Sequence, residues 1–194
     1  YHAHGGQMVP PYDEQLGQII ADVHAIDRLP LDRARATGLV REVGTRIRDE
    51  YLQINLSCGR QPAARSAHVV FTPLHGTGRA TVAHVLDAAG FRVDLEPTQS
   101  DYDGAFTNVP FHAPNPERPG TLAAAKITAD KLGADLVMAC DPDADRLGVS
   151  VRHPRQAPGV VDGWRDLNGN ELAALVCHQA LKHHPRDRPL VFKT

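Results

Sequence analysis

Apolar residues recur at two different spacings along the chain, and the change falls near residue 65. After Pro10 and Pro11, residues Leu16, Ile19, Ile20, Val23 and Ile26 keep to one side of a 3.6-residue period and predict a helix over 10–26. Val43, Ile47, Tyr51 and Ile54 predict a second over 40–56, and DRLPLDRARATG between them reads as a linker. From His68 the runs are short and rich in β-branched residues. HVVFT predicts a strand, PLHGTG a turn, RATVAHVLDAAG a helix closed by Gly90, and FRVDLEP a second strand. A polar, proline-rich loop follows, then a helix in ERPGTLAAAKITADKLG, an apolar strand in ADLVMAC and a fourth strand in RLGVSVR. APGVVDGW reads as a loop or short hairpin. NGNELAALVCHQALKHH predicts a last helix with Leu172, Leu175, Val176 and Leu181 turned inward, and PLVFKT begins another strand.

Strands alternating with helices imply an α/β fold, a three-layer α/β/α domain on a mostly parallel sheet over about 65–152, flanked by two incomplete segments. In such a sheet, ligands bind where strand-to-helix loops gather at the carboxyl ends of the strands. PLHGTG and DPDADR both follow strands at that end and are expected to share one rim.

Composition narrows the class. The 194 residues, 42% of them hydrophobic, suffice for one or two domains with a core. A net charge of -2 with scattered Lys and Arg gives no footprint for nucleic acid. Cys58, Cys140 and Cys177 lack CxxC spacing and are odd in number, which argues against a disulfide framework or zinc site and for a reducing cytoplasm. No apolar run is long enough to span a bilayer, so no membrane association is expected. The first residue is Tyr1, and a piece of a longer protein is expected.

The concentrated chemistry lies in DPDADR. Asp141, Asp143 and Asp145 alternate over five residues directly behind an apolar strand, and like charges so close repel unless a cation or a solvated turn absorbs the field. If the loop curls, three carboxylates converge as hard divalent cations require. A calcium hand is excluded, because its sixth and twelfth positions here hold Arg146 and Arg152 where Gly and Glu are needed. A dehalogenase-type phosphatase fits poorly, with Pro142 and Arg146 around the would-be nucleophile. A solvated acidic turn explains less well the third Asp, the buried strand and an arginine able to grip phosphate.

Taken with VVFTPLHGTG, VPFHAPNPERPGTL, LNGNELAALV and GGQMVPPYDEQL, in order along nearly the whole chain, DPDADRLG resembles the α-D-phosphohexomutase superfamily of phosphoglucomutases and phosphomannomutases. The resemblance implies residues 1–40 as the end of a first domain, 41–155 as an α/β/α second domain with the metal loop, and 156–194 as the start of a third. It implies Mg2+ on Asp141, Asp143 and Asp145, with Arg146 at the phosphoserine or the transferring phosphate. The implied activity is intramolecular phosphoryl transfer on a hexose or pentose phosphate, through a phosphoserine and a bisphosphate intermediate. The family's Ser-His-Asn-Pro loop has no counterpart: Ser57, Ser66, Ser100 and Ser150 lack its neighbours. An inactive fragment of a mutase is therefore expected, with a non-catalytic homologue serving as a metal-binding or interaction module as the alternative.

Other residues are read more modestly. HGTGRAT is neither GxGxxG nor a P-loop, and a strand-to-helix turn is the favoured reading over a phosphate cradle. His75 is a weak candidate for substrate or metal-loop contact and otherwise a hydrogen-bonded turn residue. Lys182, His183 and His184 read as a solvated helix end. Trp164 is assigned to a domain junction and Asn168 to a helix cap. Cys140, beside the carboxylates, is expected to have a raised thiol pKa and no reactive role.

Overall fold

The computed structural model describes residues 1–59, 64–153, 158–183 and 190–191. The chain forms two compact units, residues 1–46 and 47–194. In the first, α1 (Tyr12–Ala21) stops short of Val23 and Ile26, and the expected linker contains a short helix, α2 (Leu31–Ala36). Pro30 at the helix start accounts for α2: its fixed φ suits a first turn and its missing N–H is not needed there.

The second unit is built on a six-stranded sheet ordered β2-β1-β3-β4-β6-β5. Strands β1 (His68–Thr72), β2 (Arg92–Leu95) and β3 (Leu136–Cys140) are parallel, with β1 between the other two. All five residues of β1 are buried, as expected of a strand covered on both faces. The alternation of side chains divides the core. Phe71 and Cys140 point with Val93, Leu95 and Met138 toward Ala83 of α4 (Val82–Ala88). Val70, Val137 and Ala139 point the other way, onto Ala125 and Ala129 of α5 (Ala123–Leu132). Helices thus cover opposite faces of a mixed α/β sheet with a parallel centre. Gly133, at φ +65°, closes α5 in the left-handed conformation that a side chain resists.

One strand runs against the expectation of a parallel sheet through residue 152. β4 (Leu147–Arg152) is antiparallel to β3, with Ala139 opposite Gly148. The physical reason is the connection, Asp141 to Arg146: a parallel crossover needs a dozen or more residues, whereas a tight turn can only send the chain back. The acidic loop is therefore a strand-to-strand turn, held at both ends by the sheet. β5 (Val160–Val161) and β6 (Trp164–Leu167) complete the sheet as an antiparallel hairpin around Asp162 and Gly163, both at positive φ.

Other expectations are corrected. α6 (Gly169–His183) forms, but of the residues assigned inward Leu175, Val176 and Leu181 are exposed and Leu172 is half-buried. α6 meets the sheet chiefly along β4 at one side, so among the described residues its outer stripe is left uncovered. α3 (Arg46–Cys58) likewise carries Ile47, Tyr51 and Ile54 on an exposed face. Trp164, assigned to a domain junction, is 1% exposed and packs with Leu122, Ala125 and Val137 in the core. The Asn168 cap stands. Its Oδ1 accepts the Glu171 N–H while Glu171 Oε2 accepts the Asn168 N–H, a reciprocal capping box. No strand forms at 190–191; the rest of PLVFKT, the side chain of His183 and all of His184 lie outside the described residues. Among those residues, no helix is long and apolar enough to cross a membrane.

Candidate metal centre

β1 and β3 are neighbours, so the turns leaving their carboxyl ends meet. The chain leaves β1 toward β2 on one side and returns through α5 to β3 on the other, which makes this a switch point where a crevice opens.

The acidic loop curls, the condition under which alternating carboxylates can converge. One carboxylate oxygen from each of Asp141, Asp143 and Asp145 lies within 4.8 Å of the others. Ligands around a hard divalent cation stand about 3 to 5 Å apart, so the three fit one ion. They differ in character. Asp141 is buried, and its Oδ1 accepts the backbone N–H of Asp145 at 3.1 Å and of Arg146 at 3.0 Å. Asp143 and Asp145 are exposed. The fold thus fixes one carboxylate by backbone bonds and leaves two in solvent. Ala144, at φ +61°, makes the bend that brings Asp145 back over Asp141, and its N–H closes the turn on the Asp141 carbonyl.

Arg146 turns inward along the loop. Its Nε lies 3.4 Å from Asp141 Oδ2 and 3.7 Å from Asp145 Oδ1, with the side chain half in solvent. Three carboxylates less one guanidinium leave a net charge near -2, which a divalent ion would cancel. These two contacts keep the guanidinium at the edge of the loop.

PLHGTG is packed against this loop through its backbone. Thr77 donates its N–H and its hydroxyl to the Pro142 carbonyl at 2.8 and 3.1 Å. A Cβ on Gly76 would lie 2.1 Å from Pro142 Cα, so only glycine allows the approach. Gly148 has the same role on the other side, where a Cβ would fall 2.7 Å from Pro116 Cβ in the PNPE segment. The three glycine- and proline-rich motifs thus converge on one loop. His75 is buried in the turn, with Nδ1 2.7 Å from the Asp101 carbonyl, the hydrogen-bonded turn residue that was favoured. Cys140 ends β3 beneath the cup. Burial first, and then the Asp141 charge, push its thiol up to about 11, which leaves it protonated and unreactive.

Sequence reasoning passed over the loop that supports the rim. Gln99 is fully buried, and Asp103 is held down to about 2 by bonds from the Thr107 hydroxyl and from the Thr107 and Ala105 amides. Nothing in DLEPTQSDYDGAFTN marks Gln99 apart from the other polar residues, since its burial comes from contacts distant in sequence.

The family description "Phosphoglucomutase/phosphomannomutase, alpha/beta/alpha domain II" matches residues 49–156, a span that contains the whole rim. The chain belongs to the phosphoglucomutase/phosphomannomutase family. It is 30% identical over 180 residues to a phosphoglucomutase of Staphylococcus saprophyticus, covering 91% of this chain and 31% of that protein. To a probable phosphomannomutase of Haemophilus influenzae it is 32% identical over 173 residues, covering 89% and 33%. To a human phosphopentomutase it is 32% identical over 186 residues, covering 91% and 29%. The chain thus spans about a third of these relatives. A crystal structure of a phosphoglucomutase/phosphomannomutase family protein from Burkholderia thailandensis shares the fold, with a TM-score of 0.57 at 22% identity over 72% of this chain and 27% of that one.

Proposed function

We propose that this chain is the central part of a magnesium-dependent phosphosugar mutase acting on a hexose or pentose phosphate. The observation that carries the reading is the convergence of Asp141, Asp143 and Asp145 at a sheet switch point, in a family member whose relatives bear the names of three phosphosugar mutases. Residues 1–40 are read as the end of a first domain, 41–155 as the second and 156–194 as the start of a third.

In this reading Asp141, Asp143 and Asp145 hold Mg2+. When bound, the ion supplies charge neutralisation for phosphoryl transfer, a reaction that depends mainly on positioning and electrostatics. Asp141 keeps its orientation through two backbone amides, and so enters binding already ordered. Arg146 can swing from the Asp141 and Asp145 carboxylates toward a phosphate at the cup's edge, where a guanidinium binds two oxygens at once. The phosphoserine and the sugar-selecting residues lie outside these 194 residues, so the isolated chain transfers no phosphoryl group. Its free thiols suit a reducing compartment such as the cytoplasm.

Calorimetric titration with Mg2+ tests the site. The wild-type chain is expected to bind, and Asp143→Asn to bind at least about tenfold more weakly, a loss of about 1.4 kcal/mol, with an unchanged melting temperature. Equal affinity in both proteins would rule out the assignment, and turnover of glucose 1-phosphate by the isolated chain would rule out its inactivity.

A further inference from the structure

The turn beneath the acidic loop is held by more than its role as a connection demands. Leu74 and His75 have φ of +46° and +68°, conformations that a side chain resists, yet both are buried. Three bonds keep the backbone there. His75 donates its N–H to the Gln99 carbonyl at 2.8 Å and Leu74 donates to the Thr72 hydroxyl at 3.2 Å. The third is the His75 Nδ1 contact with the Asp101 carbonyl. A carbonyl only accepts, so Nδ1 donates in this contact. Nε2 is buried and has no partner among the described residues. A buried ring nitrogen left bare costs stability, so the side chain is kept for what its other nitrogen holds.

Gln99 makes the anchor rigid. Its N–H reaches Glu96 Oε2, its Oε1 accepts the Thr72 hydroxyl and its Nε2 donates to the Asn108 carbonyl, each within 2.7 to 2.8 Å. On its other side the turn passes directly into Gly76 and Thr77, whose contacts with Pro142 sit between two of the clustered carboxylates. We propose that His75, clamped by Gln99 and Asp101, is a positioning residue that holds the Asp141–Asp145 loop in its converged shape through Gly76, Thr77 and Pro142. This rests on the reading of that loop as a Mg2+ site.

The test follows amide exchange of Asp145 and Arg146, whose N–H groups bond Asp141 only in the curled loop, alongside Mg2+ affinity. His75→Ala is expected to speed exchange of both amides at least about tenfold and to weaken Mg2+ binding at least about fivefold. His75→Asn restores both to within about twofold, because Asn tolerates positive φ and its amide nitrogen takes the place of Nδ1. Trp164→Phe, destabilising at the far end of the sheet, leaves both unchanged. Should His75→Ala fail to fold, Thr77→Val, an exposed change that removes one bond to Pro142, is expected to speed loop exchange about threefold. Unchanged loop exchange in whichever of these two folds, an equal effect from Trp164→Phe, or failure of Asn to restore it would overturn the proposal. Absence of Mg2+ binding by the wild type would instead remove the metal reading, with exchange still deciding the role of His75.

Discussion

The two ends of the central sheet handle charge in opposite ways. At the end away from the cup, Arg152 is satisfied in every direction. Its Nε and one terminal nitrogen donate to the Ala134 and Ala129 carbonyls, the other pairs with Asp130 at 2.9 Å, and its guanidinium lies 4.5 Å over the Trp164 ring. The Trp164 indole N–H donates to the same Asp130 carboxylate. One cation thereby closes the C-terminus of α5, where exposed carbonyls and the helix dipole favour it, and pins the helix to β4 and β6. At the cup end three carboxylates cluster and one arginine pairs with two of them, the backbone takes positive φ at Leu74, His75 and Ala144, and a buried ring nitrogen has no partner among the described residues. Unpaired carboxylate charge gathers where a ligand is proposed, while at the opposite end the charges are matched by partners.

Breaking the satisfied end should cost most. Trp164→Ala empties a core position and orphans part of the Asp130 cluster, with an expected loss of about 3 to 5 kcal/mol in chemical denaturation and little change in Mg2+ affinity per folded molecule. At the cup, Gly76→Ala forces a Cβ onto Pro142 and is expected to cost about 1 to 3 kcal/mol. In contrast to Trp164→Ala, it should weaken Mg2+ binding in the molecules that remain folded. If both variants lost stability and metal binding in the same proportion, the two ends would not be separable.

A smaller effect sharpens the comparison through pH. The folded structure holds the Asp103 carboxyl down to about 2 from an ordinary 3.8, chiefly through the Thr107 hydroxyl and amide. The ionised form is the one favoured on folding, so its contribution is complete above 3.8 and is lost as pH falls through about 2. The difference in melting temperature between wild type and Asp103→Asn should therefore shrink from pH 4 to 2. A difference that stays constant over that range would show that the bonds to Thr107 and Ala105 do not depend on the charge.

Much of the rim was legible because its signals are local. Alternating Asp residues behind an apolar strand, a glycine where a turn meets a helix, and Asn-x-x-Glu before an apolar run each state their geometry within a few residues. The burial of Trp164 was not legible for the opposite reason. WRDL is too short to reveal a period, and only its pairing with β4 turns the indole into the core. α6 shows another limit: apolar periodicity tells which face of a helix can be buried, but its coverage depends on what lies beside it, and α6 sits where the sheet reaches only one side.

The sequence by itself determined the order of the main elements and the crowding of three carboxylates into one short loop, because hydrophobic periodicity and charge repulsion act over neighbouring residues. That Gly76 and Gly148 must lack a side chain is decided by Pro142 and Pro116, distant in sequence. Tertiary structure alone decided that β4 returns antiparallel, that Trp164 and Arg152 close α5, and that Gln99 is buried beneath His75. Those outcomes depend on which distant segments share the sheet's two faces, and no stretch of a few residues contains that information.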